Sequence, residues 1–117
     1  MSLIYIDEPV AYDLPKIVQG EDWNWSFTLN NPDGTPVNTS GMSFACMMRE
    51  KKDDSTTVFT PAIAVASNTI TLTIANALTT AQTKTRRLVY DIIQTDSLGN
   101  KLALFEGSVA FEGAVTR

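Results

Sequence analysis

The chain has 117 residues, a single cysteine, no histidine and a formal net charge of -4 at pH 7. This is the length of one domain, which can bury a core without disulfides or a structural metal. Without histidine, the usual catalytic triads, Cys-His pairs and zinc sites are excluded, and an acidic chain lacking a Lys/Arg stripe binds nucleic acid poorly. We therefore expect a protein that is not an enzyme, uses no cofactor or metal, and binds no nucleic acid.

The sequence shows no signal that would direct the chain to a membrane or a secretory route. No apolar run approaches the ~20 residues that span a bilayer, and the N-terminus lacks the basic and apolar regions of a signal peptide. We expect a protein made in a cytoplasm, without a membrane partner. Cys46 lies in an apolar run and is expected to be a buried, inert thiol.

Residues 1–12 are apolar on both strand faces until Asp7-Glu8-Pro9 interrupts them. A terminal segment of this kind has to be covered. It is either the first strand of its own sheet or an arm that adds to the edge of a neighbouring copy, and the sequence leaves both open. In the second case the residues expected to contact a neighbour are Leu3, Ile4, Tyr5 and Ile6, with Tyr12 close to the docking point. Residues 13–117 are predicted to form a separate β-sandwich.

The first two strands of the predicted sandwich differ in character. Residues 13–20 read as a short strand in which Pro15 indicates an edge position. Residues 22–30, DWNWSFTLN, alternate strictly between apolar and polar, which predicts one buried and one wet face. Its large apolar side chains are the predicted core anchors: Trp23, Trp25, Phe27 and Leu29. The alternative is that the tryptophans are exposed and stack on a sugar, as in a carbohydrate-binding module.

The middle of the chain predicts three further strands and a short helix. Residues 42–49 alternate as a strand, and a charged loop follows. Between residues 55 and 83 there is no charge; a broken strand over residues 58–65 and an alternating strand over residues 70–74 are expected there. Residues 75–85 allow one or two helical turns that cross between sheets, with Thr79 or Thr80 as N-cap and Leu78 packed against the core.

The last quarter of the chain predicts a β-hairpin. Residues 88–95 and 101–111 are rich in strand-forming residues, and the turn DSLGN lies between them. Tyr90 and Phe111 are the two core anchors predicted in this hairpin. In total, the chain shows seven or eight short strands at about ten-residue spacing with turn signals between them, which is typical of an all-β sandwich.

Several stretches also carry a family resemblance. A Gln19-Gly20 pair precedes the aromatic strand, a Tyr90-Asp91 pair lies near the start of the penultimate strand, and a run from Gly107 to Val109 leads to a terminal Val-Thr-Arg. Together with the turn NPDGTPV, these resemble small immunoglobulin-like β-sandwich domains of tailed-phage virion proteins. They are similar to the N-terminal domains of upper-baseplate and tail-fibre attachment proteins, and the likeness covers residues 13–117.

The resemblance implies an immunoglobulin-like sandwich of seven or eight strands with one short helical crossover. It implies a phage or prophage virion protein, a tail or baseplate adaptor that forms a homo-oligomer through strand-edge and N-terminal-arm contacts. Its partners would then be other copies of itself and other virion proteins. A capsid decoration protein is the nearest alternative. Those larger proteins continue into a fibre or receptor-binding region, whereas this chain stops at Arg117, so the resemblance favours an adaptor, a decoration protein or a short tail component over a receptor-binding role.

Overall fold

The computed structural model describes the backbone of residues 2–4 and 10–113, and the side chains of residues 10–113. These residues form nine strands and one helix. In chain order they are β1 (Ser2–Ile4), β2 (Val10–Ala11), β3 (Leu14–Val18), β4 (Trp23–Asn30), β5 (Ser43–Arg49), β6 (Ala62–Ala66), β7 (Thr69–Ile74), α1 (Asn76–Thr80), β8 (Arg86–Thr95) and β9 (Lys101–Glu112).

The strands are divided between two sheets. Sheet A has the order β1-β4-β7-β6, and sheet B has the order β2-β9-β8-β5, with β3 also pairing with β9. The all-β prediction is confirmed. The described residues contain nine strands rather than seven or eight, because the chain before Gln19 contributes three short strands. Two of them, β2 and β3, follow one another along β9 in parallel, so that β3 lies at the edge that its proline indicated.

The core lies between the inward faces of the two sheets. Alternate residues of β4 and β7 face β8 and β9, as the period of two requires. Removing each large apolar side chain from water contributes roughly 1.5–3 kcal/mol. The apolar residues that are at most 1 % exposed are Ile17, Phe27, Leu29, Cys46, Met48, Ile70, Leu72, Ile74, Leu88, Ile92, Phe105, Val109 and Phe111.

The C-terminal hairpin is confirmed. β8 and β9 pair antiparallel from Arg86 opposite Phe111 to Thr95 opposite Lys101, with one register shift after Ile92. The turn is held by the Asp96 carboxylate, which accepts hydrogen bonds from backbone N–H groups at residues 98 and 100, both at 2.9 Å. These bonds, the one from residue 100 first, lower the pKa of Asp96.

The helix crosses from sheet A to sheet B as expected, but its anchoring differs from the prediction. Its N-cap is Ala75, and Thr79 lies inside the helix, fully buried, while Leu78 is 54 % exposed. The Thr79 hydroxyl donates to the Glu21 carbonyl (2.9 Å) and accepts from the Gly20 N–H (3.1 Å). A polar contact with the loop between β3 and β4 therefore takes the place of the expected leucine packing. No helix of the described residues is long and apolar enough to cross a membrane.

The predicted broken strand over residues 58–65 is wrong as a single element. Phe59 forms an isolated bridge with Met48 of sheet B, whereas β6 belongs to sheet A. Pro61 lies between the two segments and lacks the N–H that a continuous ladder needs. The chain therefore changes sheets at this proline.

Candidate assembly interface

The described residues contain no group of three or more acidic or cysteine side chains that could hold a metal ion. Cys46 is 1 % exposed, and its burial raises the thiol pKa to about 12. A thiol in this setting stays protonated and is a poor nucleophile. The outer faces and edges of the two sheets are the surfaces of the described chain that a partner could contact.

The two sheets differ sharply in charge. No strand of sheet A contains a charged residue. The charged residues within described strands all lie in sheet B: Lys16, Arg49, Arg86, Arg87, Asp91, Lys101, Glu106 and Glu112. The outward positions of sheet A carry alanine on β6, threonine on β7, and asparagine, serine or threonine on β4. Sheet A thus presents a neutral outer face in an otherwise charged protein.

The outer face of sheet B holds a shallow groove of about 300 Å³. Met47, Asp91 and Glu106 are cross-strand neighbours on β5, β8 and β9. Arg49 lies beside them and its Nη2 group donates to the Met47 Sδ (3.0 Å). The groove therefore mixes both charges with apolar side chains, and a surface of this composition is typical of solvated sheet faces.

The predicted partner contacts lie in three different settings. Leu3 and Ile4 belong to β1, which pairs in parallel with β4 of the same chain, Leu3 opposite Leu29 and Ile4 opposite Asn30. Tyr5 and Ile6 lie outside the described residues. The structure therefore places residues 2–4 at the edge of sheet A of their own chain, whereas Val10 and Ala11 of the same segment belong to β2 in sheet B.

Tyr12, predicted to lie close to the docking point, is held by its own chain. Its N–H donates to the Glu106 carbonyl (3.0 Å), and its carbonyl accepts from the Tyr90 hydroxyl (2.6 Å). Its ring stacks on Trp25 with centroids 5.6 Å apart. Burial raises the pKa of Tyr90, so its hydroxyl keeps the proton that it donates. The backbone passes so close to Gly107 that an added Cβ there would lie 2.2 Å from the Tyr12 carbonyl oxygen.

The six predicted core anchors are all buried or partly buried in the structure. Trp23, Phe27, Leu29, Tyr90 and Phe111 are at most 5 % exposed, and Trp25 is partly buried against the same core. The Trp23 indole N–H donates to the Pro15 carbonyl (3.0 Å). The Trp25 ring contacts Phe27 and Phe105 as well as Tyr12, with all centroids within 5.6 Å. Trp23 therefore has no free ring face for a sugar, and the ring of Trp25 is packed among aromatic neighbours.

Sequence reasoning missed the open edge of sheet A at β6. The signal was present as the uncharged stretch of residues 55–83, but only the strand order shows that β6 ends a sheet. It also missed that Gln19 and Gly20 anchor the helix, since the Gln19 side-chain amide donates to the Thr80 carbonyl (3.0 Å). Comparison with protein families and with curated proteins found no match to this sequence.

Proposed function

We propose that this chain is a structural protein of a tailed-phage or prophage virion. It is an immunoglobulin-like β-sandwich that assembles with copies of itself and with other virion proteins, as a tail or baseplate adaptor. In this role its mechanism is association through sheet edges, and no chemical step is involved. The virion setting rests on the resemblance of residues 13–117 to small sandwich domains of phage tails.

The strand order supports the immunoglobulin-like part of the proposal. An immunoglobulin constant-type sandwich places its first, second, fifth and fourth strands in one sheet and its third, sixth and seventh in the other. If β1 is counted as the first strand, sheet A has the same order, β1-β4-β7-β6, and β5-β8-β9 form the opposite sheet. The short β2 and β3 then extend the second sheet beside β9.

The observation that carries the assembly mechanism is the placement of β1. This strand has three residues, lies at the N-terminus and adds to the edge of sheet A by parallel pairing with β4. A short terminal strand at an open edge makes the same backbone hydrogen bonds whether the β4 beside it belongs to its own chain or to another copy. Exchange of β1 between copies would therefore link two sandwiches through the same β1–β4 contact that a single chain already makes.

A cross-linking experiment tests this exchange directly. Ser2 is opposite Thr28 in the β1–β4 register, so Ser2→Cys and Thr28→Cys are made in separate copies, which are mixed and oxidised. Exchange predicts a disulfide between the two variants. Cys46 is buried and leaves the background low. Asn24→Cys, on β4 but away from Ser2, is the matched control and should not cross-link. Absence of cross-linked dimer with Thr28→Cys, or equal yield with Asn24→Cys, would contradict the mechanism.

The virion setting is tested separately, by mass spectrometry of purified phage particles from cells that carry the gene. The proposal predicts the chain in the particles at a fixed ratio to the other tail proteins. Particles that are complete and infectious without it would contradict the proposal. Its presence with the head shell alone would favour the decoration protein.

A further inference from the structure

The edge strand β6 (Ala62–Ala66) stands apart from the other edges among the described strands. Natural sheet edges are protected by proline, by charge, by shortness or by a covering segment. β3 contains Pro15 and Lys16, and β1 has three residues. β5 is partly covered, because the Met48 N–H donates to the Phe59 carbonyl (2.9 Å). β6 is AIAVA and pairs only with β7 in the described chain. Pro61 directly precedes it, but its own five residues contain neither proline nor charge.

The register shows which backbone groups of β6 point outward. The Leu29 N–H donates to the Asn68 carbonyl (2.9 Å) across the β4–β7 edge. Hydrogen-bonded pairs alternate along antiparallel strands. The even-numbered residues of β7 therefore bond to β4, and its odd-numbered residues bond to the even-numbered residues of β6. The N–H and C=O groups of Ile63 and Val65 are left directed away from the sheet.

The side chains around these groups favour a second copy of the chain as the occupant. The protein carries a net charge of -4, and two copies repel each other wherever acidic surfaces meet. No charged residue occurs between Asp54 and Lys84, so two β6 strands meet without like charges. Val65 is 44 % exposed, and pairing would remove part of its apolar surface from water, which is favourable.

We propose that β6 pairs antiparallel with β6 of a second copy about a two-fold axis. This pairing deepens the proposed function. It rests on that function in one respect only, namely that the chain assembles with its own copies. The register that pairs all five residues places Ala64 opposite Ala64 of the second copy and Ile63 opposite Val65. The two four-stranded A sheets then become one continuous sheet with a neutral outer face. Because five residues extend only ~17 Å, the interface is small and the dimer depends on concentration.

Charge placed at Ala64 tests the pairing. Ala64 is exposed, so Ala64→Lys and Ala64→Glu keep the core intact, and unchanged thermal unfolding verifies this. In the proposed register each variant sets two like charges directly opposite each other. Sedimentation over a wide concentration range should show the dimer dissociation constant raised about tenfold or more. Mixing the two variants should restore dimers, because lysine then faces glutamate.

The matched control is Ser26→Lys, which adds the same charge to the same outer face but on β4, away from β6. The proposal predicts wild-type association for this variant. Three results would overturn β6 pairing: a monomer at every concentration, wild-type association of both Ala64 variants, or equal loss with Ser26→Lys. Exchange of β1 and presence in virions are read from separate experiments, so β6 pairing can fail while the proposed function stands.

Discussion

Replacement of Gly107 by alanine should be among the most destabilising small substitutions in this chain. The new Cβ would lie 2.2 Å from the Tyr12 carbonyl oxygen and 2.9 Å from its carbon, both backbone atoms. Tyr12 would have to move, which removes its bond to the Glu106 carbonyl and the bond from the Tyr90 hydroxyl. Each hydrogen bond contributes about 0.5–1.5 kcal/mol, and the ring contact with Trp25 about as much.

The expected loss is therefore about 2–4 kcal/mol in the free energy of unfolding, a large part of the ~5–15 kcal/mol of a typical domain. Urea denaturation followed by tryptophan fluorescence measures it. Tyr90→Phe is the partial variant, since it removes only the hydroxyl, and should lose about 1–2 kcal/mol. Stability of Gly107→Ala equal to or above wild type would refute the reasoning, because alanine at an unobstructed strand position stabilises through the unfolded state.

Four further outcomes follow from the structure. Thr79→Val should lower the free energy of unfolding by about 1–3 kcal/mol, because the Gly20 N–H and the Glu21 carbonyl lose their hydrogen bonds with the buried Thr79 hydroxyl, and Thr79→Ser should restore most of it in denaturant titrations. Cys46 should react with a thiol reagent only as fast as the protein unfolds; rapid reaction of the native protein would contradict its burial. Tryptophan emission should be blue-shifted and unchanged by sugars, since Trp23 is 5 % exposed; a red emission that responds to glycans would favour the carbohydrate-binding alternative. The pKa of Asp96 is lower in the folded protein than in the unfolded chain. The stabilisation that its carboxylate contributes is therefore fully present above the unfolded pKa and is lost as the pH falls through the folded pKa. The difference in the free energy of unfolding between wild type and Asp96→Asn should accordingly vanish in acid.

The parts of the fold that the sequence predicts are those set by local pattern. The alternation in β4 places Trp23, Phe27 and Leu29 inward because side chains of a strand point to opposite faces in turn. The hairpin of β8 and β9 follows from two strand-forming runs joined by a turn whose Asp96 bonds its own backbone. Both features are decided within a few residues, and so they can be read from the chain alone.

The parts that the sequence does not predict depend on contacts between distant residues. The Thr79 hydroxyl can be buried because it donates to the Glu21 carbonyl and accepts from the Gly20 N–H, both nearly sixty positions away. Phe59 joins Met48 rather than β6, since the chain changes sheets at Pro61. Whether a strand lies at an edge is a property of pairing, which period-two patterns do not contain. The neutral stretch that forms β6 was therefore visible, but its open edge was not.

The most direct test of assembly through sheet edges is the absolute mass of the full-length protein in solution, measured by multi-angle light scattering over a wide range of concentration. The account predicts a mass that is a multiple of the 12.8 kDa chain and that rises with concentration towards a closed oligomer. A mass that stays at 12.8 kDa at every concentration would contradict it.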